Sequence, residues 1–279
     1  MQEILRDAFT RRYGVGAFNI VNDLTMLAVL EAAEETRSPV IIQVSVKTVK
    51  QLGSRLLREM FQDMARRAPI PATLHLDHCP DRGMIEECVA AGWNSVLFDA
   101  SNLNYADNLA QTTAVVELAH RHGVAVEGEL EAVEGVEDDV GSEDEGAVVP
   151  LDQAVAFMRA TRIDSFAPAI GTAHGVYKRE PKINFKRVEE IVAAEPCPIV
   201  LHGGTGLKEE VFHELIRLGA VKVNISTQLK ITYTETLRNH LNAYPAQHDP
   251  AKLHDAVRKE VRAMAAGFMR TFGSAGKAP

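Results

Sequence analysis

Short runs of apolar, β-branched residues alternate with longer stretches whose apolar positions recur at helical spacing. Val15 to Phe18 reads as a strand, and Asp23 to Thr36 as a helix with Leu24, Leu27, Ala28 and Leu30 on one face. Val40 to Val46 is a second strand, followed by a helix from about Ser54 to Ala68. Ala72, Thr73, Leu74 and Leu76 mark a third strand, and its helix ends at Gly92, a residue suited to a C-terminal cap. Ser95 to Phe98 is a fourth strand, ending in Asp99, and Tyr105 to His122 is a helix stopped by Gly123. Val124 to Leu130 is a fifth strand and Leu151 to Thr161 a helix. The sixth strand, Ser165-Phe166-Ala167-Pro168-Ala169-Ile170-Gly171, runs into His174-Gly175. The seventh, Pro198-Ile199-Val200-Leu201, runs into His202-Gly203-Gly204, and Val221 to Ile225 is the eighth. Helical patterns from about Gln228 to Asn242 and from Pro250 to Phe272 close the chain.

Eight strands alternating with helices predict an α/β fold, a (β/α)₈ TIM barrel with an extra C-terminal helix able to pack on a neighbour. No linker or composition shift divides residues 1–279, so one domain is expected. Residues 131–149 are acidic, glycine-bearing and without periodicity, and a segment of that length reads as an active-site loop. The tail 273–279 is expected to fray.

Composition narrows the function. The 279 residues are 46% hydrophobic, enough for one large core. No apolar run approaches the roughly 20 residues that span a bilayer. Met1-Gln2-Glu3-Ile4 does not read as a signal peptide. Three cysteines without a CxxC spacing suit a reducing cytoplasm. A formal charge of −8 disfavours nucleic acid and anionic membrane as partners.

The candidate chemistry lies where strands stop. In such barrels the reacting groups sit at the carboxyl ends of the strands. His78, His174 and His202 fall just past the third, sixth and seventh, and three imidazoles with an open position suit a catalytic zinc. His75 faces away from Leu74 and Leu76 and is expected to pack. Cys79 is a candidate soft ligand or, more simply, a buried thiol. Asp77 is a proton donor, a partner to a ligand, or a helix N-cap. Asp99 and Glu129 are candidates for a second cation, or solvated strand ends. His202-Gly203-Gly204-Thr205-Gly206 and Asn224-Ile225-Ser226-Thr227 follow the seventh and eighth strands, where this fold binds phosphate.

These motifs together resemble the class II, zinc-dependent ketose-bisphosphate aldolases of the fructose- and tagatose-bisphosphate type. The resemblance runs from Tyr13-Gly14-Val15-Gly16-Ala17-Phe18-Asn19 to about Gly273. It is carried by Leu76-Asp77-His78-Cys79, Gly171-Thr172-Ala173-His174-Gly175-Val176-Tyr177, Val200-Leu201-His202-Gly203-Gly204-Thr205-Gly206 and Lys222-Val223-Asn224-Ile225-Ser226-Thr227. It implies reversible aldol cleavage of a phosphorylated ketose to dihydroxyacetone phosphate and an aldehyde, through a zinc-stabilised enediolate. It implies one zinc per chain on His78, His174 and His202, with Asp77 as the acid, Glu137 as the base and Asn224 holding the enediolate. Asn19, Ser45, Gly175, Gly203, Gly204, Thr205, Ile225, Ser226 and Thr227 would line the donor and its phosphate. Asp99 and Glu129 match secondary cation positions, for a monovalent ion such as Na⁺ or K⁺. A homodimer or homotetramer in the cytoplasm, serving carbohydrate metabolism of the glycolytic kind, is implied as well.

The chain departs from the family pattern in several places. Glu131 stands where the motif after the fifth strand has glycine, and Glu134 replaces the first of a glycine pair. The resemblance thus predicts added negative charge at the mouth. Asn102 stands where histidine is common. Asp249-Pro250-Ala251 replaces Asp-Pro-Arg, whose arginine serves the acceptor-side phosphate. A non-phosphorylated or otherwise modified acceptor is therefore an alternative. A zinc hydrolase or a non-catalytic barrel subunit are rivals from other classes.

Overall fold

The strand signals close into a ring. The computed structural model describes residues 1–132, 148–177 and 179–278, and the backbone of 135–137 and 140–142. Its elements are α1 (Gln2–Arg11), β1 (Val15–Asn19), α2 (Asp23–Thr36), β2 (Val40–Ser45), α3 (Val46–Leu52), α4 (Ser54–Ala65), β3 (Ala72–Cys79), α5 (Arg82–Ala90), β4 (Ser95–Asp99), α6 (Tyr105–Arg121) and β5 (Ala125–Glu129). There follow β6 (Gly135–Glu137), β7 (Val140–Ser142), α7 (Leu151–Thr161), β8 (Ser165–Ala167), α8 (Phe185–Ala194), β9 (Ile199–Leu201), α9 (Glu209–Leu218), β10 (Ala220–Ile225), α10 (Thr227–Ala243) and α11 (Pro250–Thr271). Eight strands pair in parallel in the closed order β1-β10-β9-β8-β5-β4-β3-β2, the expected TIM barrel.

Both faces of each barrel strand are buried, as a parallel sheet under helices requires. Alternate side chains explain what goes where. Ile42, Val44, Leu74, Leu76, Val96, Phe98, Val126, Val223 and Ile225 join the main core between strands and helices. The alternate positions Gln43, His75, Glu127 and Lys222 are also buried, so they fill the barrel interior. Leu5 and Ala8 of α1 close the amino-terminal end by packing on Val15, Ala17, Ile41 and Val221.

Four features differ from expectation. Helix α1 precedes the first element read from the sequence, and only Leu5 and Ala8 of its ten residues are buried. Helix α3 is seven residues long, started by Ser45, whose Oγ accepts from Thr48 N at 3.4 Å. Within 131–149 the short strands β6 and β7 pair antiparallel, in runs too brief for a period-two pattern. The tail expected to fray is docked through residue 278. Ser274 is buried, and its Oγ accepts from Ser38 Oγ at 2.7 Å and donates to Met269 O at 3.1 Å. Gly276 N and Ala278 N donate to Thr36 O and Arg37 O at 2.8 and 2.9 Å.

Helix α11 belongs to this barrel. Val257, Val261, Ala265 and Met269 on one face are fully buried, and each of the larger three contributes about 1.5–3 kcal/mol by leaving water. Arg270 adds a 2.9 Å ion pair to Glu35 of α2. Among the described residues no helix is long and apolar enough to cross a membrane.

Candidate active site and metal centre

Asp77 and His78 are adjacent near the end of β3, where successive side chains ordinarily face opposite sides. Here the register of β3 on β4 shifts between Leu76 and Cys79, and His78 takes φ 41, in the left-handed region. The shift breaks the alternation, so both residues reach the barrel mouth while Cys79 enters the outer core. A non-glycine residue in that conformation costs about 1–2 kcal/mol, strain that the surrounding barrel must hold. Cys79 is thereby separated from the imidazoles, and burial pushes its thiol up to about 12. Asp77 does not cap α5 either, because Asp81 does, accepting from Gly83 N at 2.8 Å.

Three imidazoles meet at the mouth. The ring centroid of His78 lies 5.0 Å from that of His174 and 4.6 Å from that of His202, and the latter two are 5.7 Å apart. His78 donates Nδ1–H to Asp99 Oδ2 at 2.8 Å, and its Nε2 is buried without a partner. His202 donates Nε2–H to Glu127 Oε1 at 2.9 Å, and its Nδ1 is likewise buried without a partner. One nitrogen from each of the three rings comes within 4.8 Å of the others. Each unpaired buried nitrogen costs about 1–3 kcal/mol, and one cation among them would satisfy both. A carboxylate on the far nitrogen also fixes the tautomer that leaves the near lone pair available.

The electrostatics agree with a cation. Burial pushes His202 down to about 4 against the pull of Glu127, so its ring is neutral near pH 7. Burial lowers His78 too, but Asp77, Glu129 and Asp99 outweigh it and hold the group well above its ordinary value. The place favours positive charge, a proton or a metal ion. Asp99 would rise on burial, yet its bonds with His78 and Ser101 hold it well below the usual carboxylate range. A second group, His78, Asp99 and Glu129, also gathers within 4.8 Å. Asp99 and Glu129 are therefore buried beneath the histidines and are not solvated strand ends.

Asp77 is held from one side. Its Oδ2 accepts from Asn19 Nδ2 at 2.7 Å, and Asn19 Oδ1 accepts from Gln43 Nε2 at 2.7 Å. Its Oδ1 is buried with no partner. Ser45 pairs in register with Asp77 across β2 and β3. This string of small polar groups leaves one carboxylate oxygen available for a ligand.

The loops after β9 and β10 make a second feature. Gly203 has φ 70, and a Cβ there would stand 2.3 Å from Ala173 O, so this turn requires glycine. Gly175 has φ 87 and faces open space. A Cβ on Gly204 would stand 3.0 Å from Asn224 O, so the β9 and β10 ends nearly touch. Thr205 Oγ1 accepts from Gln228 N at 3.2 Å, tying the glycine loop to the first turn of α10. Ser226, the N-cap of that helix, is buried with its Oγ unpartnered. Helix-start N–H groups beside a free hydroxyl suit a phosphate. Thr227 opens the helix, while the side chain of Ile225 points into the outer core.

Several residues escaped the sequence reading. Glu127 and Lys222 are fully buried in the barrel, 2.9 Å apart. Burial would raise Glu127, but Lys222, then His202, hold it well below the usual range. The available signal was spacing, since Glu127–Glu129 and Lys222–Asn224 each place two polar groups on one face of an apolar strand. Glu131 corrects an expectation. It is 3% exposed, not a charge at the mouth. It accepts from Val149 N at 2.7 Å, from Ala169 N at 2.8 Å and from the Arg187 guanidinium, whose Nη1 donates to Val149 O at 3.0 Å. Burial keeps its carboxyl above the ordinary value although Arg187 and the two N–H groups draw it down. Glu137 is described by its backbone alone, in β6, and Glu134 lies outside the described residues. Asp249 caps α11, accepting from Ala251 N at 3.0 Å, and Ala251 is exposed there.

Comparison with known proteins agrees with this geometry. The family model described as fructose-bisphosphate aldolase class-II matches residues 1–277. A fructose-bisphosphate aldolase from Geobacillus stearothermophilus is 39% identical, covering 100% of this chain and 98% of that protein. A sulfofructosephosphate aldolase from Alkalicoccus urumqiensis is 34% identical, covering 99% and 96%. The crystal structure of the YdjI aldolase from Escherichia coli K12 superposes with a TM-score of 0.86 at 32% identity, covering 100% and 98%.

Proposed function

We propose, from the premise that this chain belongs to the class-II fructose-bisphosphate aldolase family, that it is a zinc-dependent aldolase acting on a phosphorylated ketose. The observation that carries this reading is the pair of buried, unpartnered nitrogens on His78 and His202, converging with His174. These three residues would hold the zinc, which when bound supplies Lewis-acid polarisation of the donor oxygens.

The chain's own groups do the rest. The start of α10 with Ser226 and the loop from Gly203 to Thr205 would seat the donor phosphate of dihydroxyacetone phosphate. In the synthetic direction Glu137 takes the proton from the donor carbon beside the carbonyl. That carbon's electron pair then forms the C–C bond to the aldehyde. Asp77, fixed by Asn19 and Gln43, gives its proton through Oδ1 to the new alkoxide. Cleavage reverses each transfer.

The acceptor end reads differently from that of a bisphosphate enzyme. Ala251 offers no charge-assisted pair to a phosphate. A ketose carrying phosphate at the donor end and another polar group at the far end fits best. The relative named for a sulfofructosephosphate supports that reading. One catalytic domain, a cytoplasmic location, a homo-oligomer and a monovalent ion at Asp99 and Glu129 complete the proposal.

The test joins metal analysis to isotope exchange. The native protein should carry one zinc per chain and exchange the donor proton of dihydroxyacetone phosphate with deuterated water. His202→Ala should lose both. Full zinc and full exchange in that variant would sink the assignment, and zinc without exchange in the native protein would favour a hydrolase.

A further inference from the structure

We propose that Lys222 and Glu127 are positioning residues, a single buried couple that sets the carboxamide of Asn224 and the ring of His202 together. The proposal rests on the aldolase reading, in which Asn224 holds the donor and His202 holds the metal.

Lys222 sits on β10 two residues deeper than Asn224, fully buried in the barrel. Its ammonium donates to Asn224 Oδ1 at 2.8 Å and lies 2.9 Å from Glu127 Oε2. An ammonium has only donors, so the Asn224 oxygen must face it. The carboxamide therefore presents its Nδ2 hydrogens on the opposite side, away from the barrel interior. Asn224 is thus a donor toward the mouth, suited to a developing negative charge on the donor substrate. Without Lys222 the amide could turn over and offer its oxygen, which would repel that charge.

The same ammonium fixes the other arm. Glu127 uses Oε2 for Lys222 and Oε1 for the Nε2–H of His202. That bond orients the ring and leaves Nδ1 with its lone pair. His75 Nε2, 3.7 Å from Glu127 Oε2, packs the remaining side. One couple between β5 and β10 therefore sets a group that receives charge and a group that receives metal.

The experiment is a double-mutant cycle on the full chain, reading kcat, KM and donor-proton exchange beside zinc affinity by chelator competition. Glu127→Gln should weaken zinc about 10–100-fold, the usual effect of losing a carboxylate behind a ligand. Lys222→Met should lower kcat and exchange about 100-fold with KM little changed, as for a misplaced group. In an Asn224→Ala background the Lys222→Met effect on kcat should vanish, while its smaller effect on zinc through Glu127 persists. Equal kcat losses with and without Asn224 would overturn the proposal. Because a lone buried charge threatens folding, Glu127→Gln/Lys222→Met removes both charges together. That pair, folded by circular dichroism, should still show weak zinc and slow exchange, and native values in it would also overturn the proposal. If the native protein exchanges no donor proton, the aldolase reading falls first and the proposal falls with it.

Discussion

Replacing Arg187 with methionine isolates the cost of burying Glu131. The native pair is almost dry, with side-chain exposures of 8% and 0%. Burial holds Glu131 above its ordinary value even with Arg187 beside it, so desolvation outweighs the attraction and the pair adds little net stability. Removing one partner is another matter. The variant keeps a buried carboxylate with only the N–H groups of Val149 and Ala169, and it strips Val149 O of its donor. Losing one partner of a buried pair costs about 3–5 kcal/mol. At about 2–4 °C per kcal/mol for a chain near this size, Tm should fall by about 6–20 °C. The loss should also depend on pH. With its folded pKa raised further, Glu131 binds more protons folded than unfolded, so stability falls as pH rises from the unfolded value through the folded one. The gap to the native protein should thus be narrower at pH 5 than at pH 7.5. Urea midpoints at both pH values, at fixed protein concentration, measure this. A deficit under about 1 kcal/mol, equal at both pH values, would refute the reasoning.

Three further outcomes are expected. Glu137→Ala should slow donor-proton exchange by at least about 100-fold and Glu134→Ala far less; a crippled Glu134 variant would move the base. Ala251→Arg, at an exposed capped helix start, should fold normally and raise kcat/KM for a ketose bisphosphate over the matching monophosphate by about one to two decades; a native bisphosphate preference of about 1000-fold, unchanged by the substitution, would show that another residue binds that phosphate. The native cysteines should resist iodoacetamide at pH 8, because Cys79, Cys88 and Cys197 are buried and burial raises all three thiols; rapid alkylation of the folded enzyme would contradict this.

The barrel was legible because its strands are apolar on the outer face and alternate in regular order with longer helical stretches. The histidines were legible because each stands at or beyond the end of such a strand, His78 near the end of β3, His202 directly after β9 and His174 in the loop that follows β8. What stayed hidden depends on contacts remote in sequence. Glu131 reads as surface charge until Arg187 and Ala169 are brought against it, and nothing local to Glu131 encodes that. Lys222 looks like an odd residue in an apolar strand until β5 supplies Glu127. The docked tail is small and polar, and only the ends of α2 and α11 give Ser274 and Gly276 their partners. Asp77 and His78 share a face through a left-handed backbone at a histidine, a conformation that no propensity foretells.

The couple between β5 and β10 also bears on how the chain is made. Glu127 emerges from the ribosome long before Lys222, and β10 is the strand that closes the ring on β1. Until it arrives, a growing barrel has two open edges and an acid in its interior without a cation. Open strand edges invite pairing with other chains, and an unpaired buried charge resists collapse. Truncated chains that stop short of β10 should therefore not form a stable partial barrel. The ring is complete only when β10 pairs with both β1 and β9, and α11 and the tail then seal it against α2.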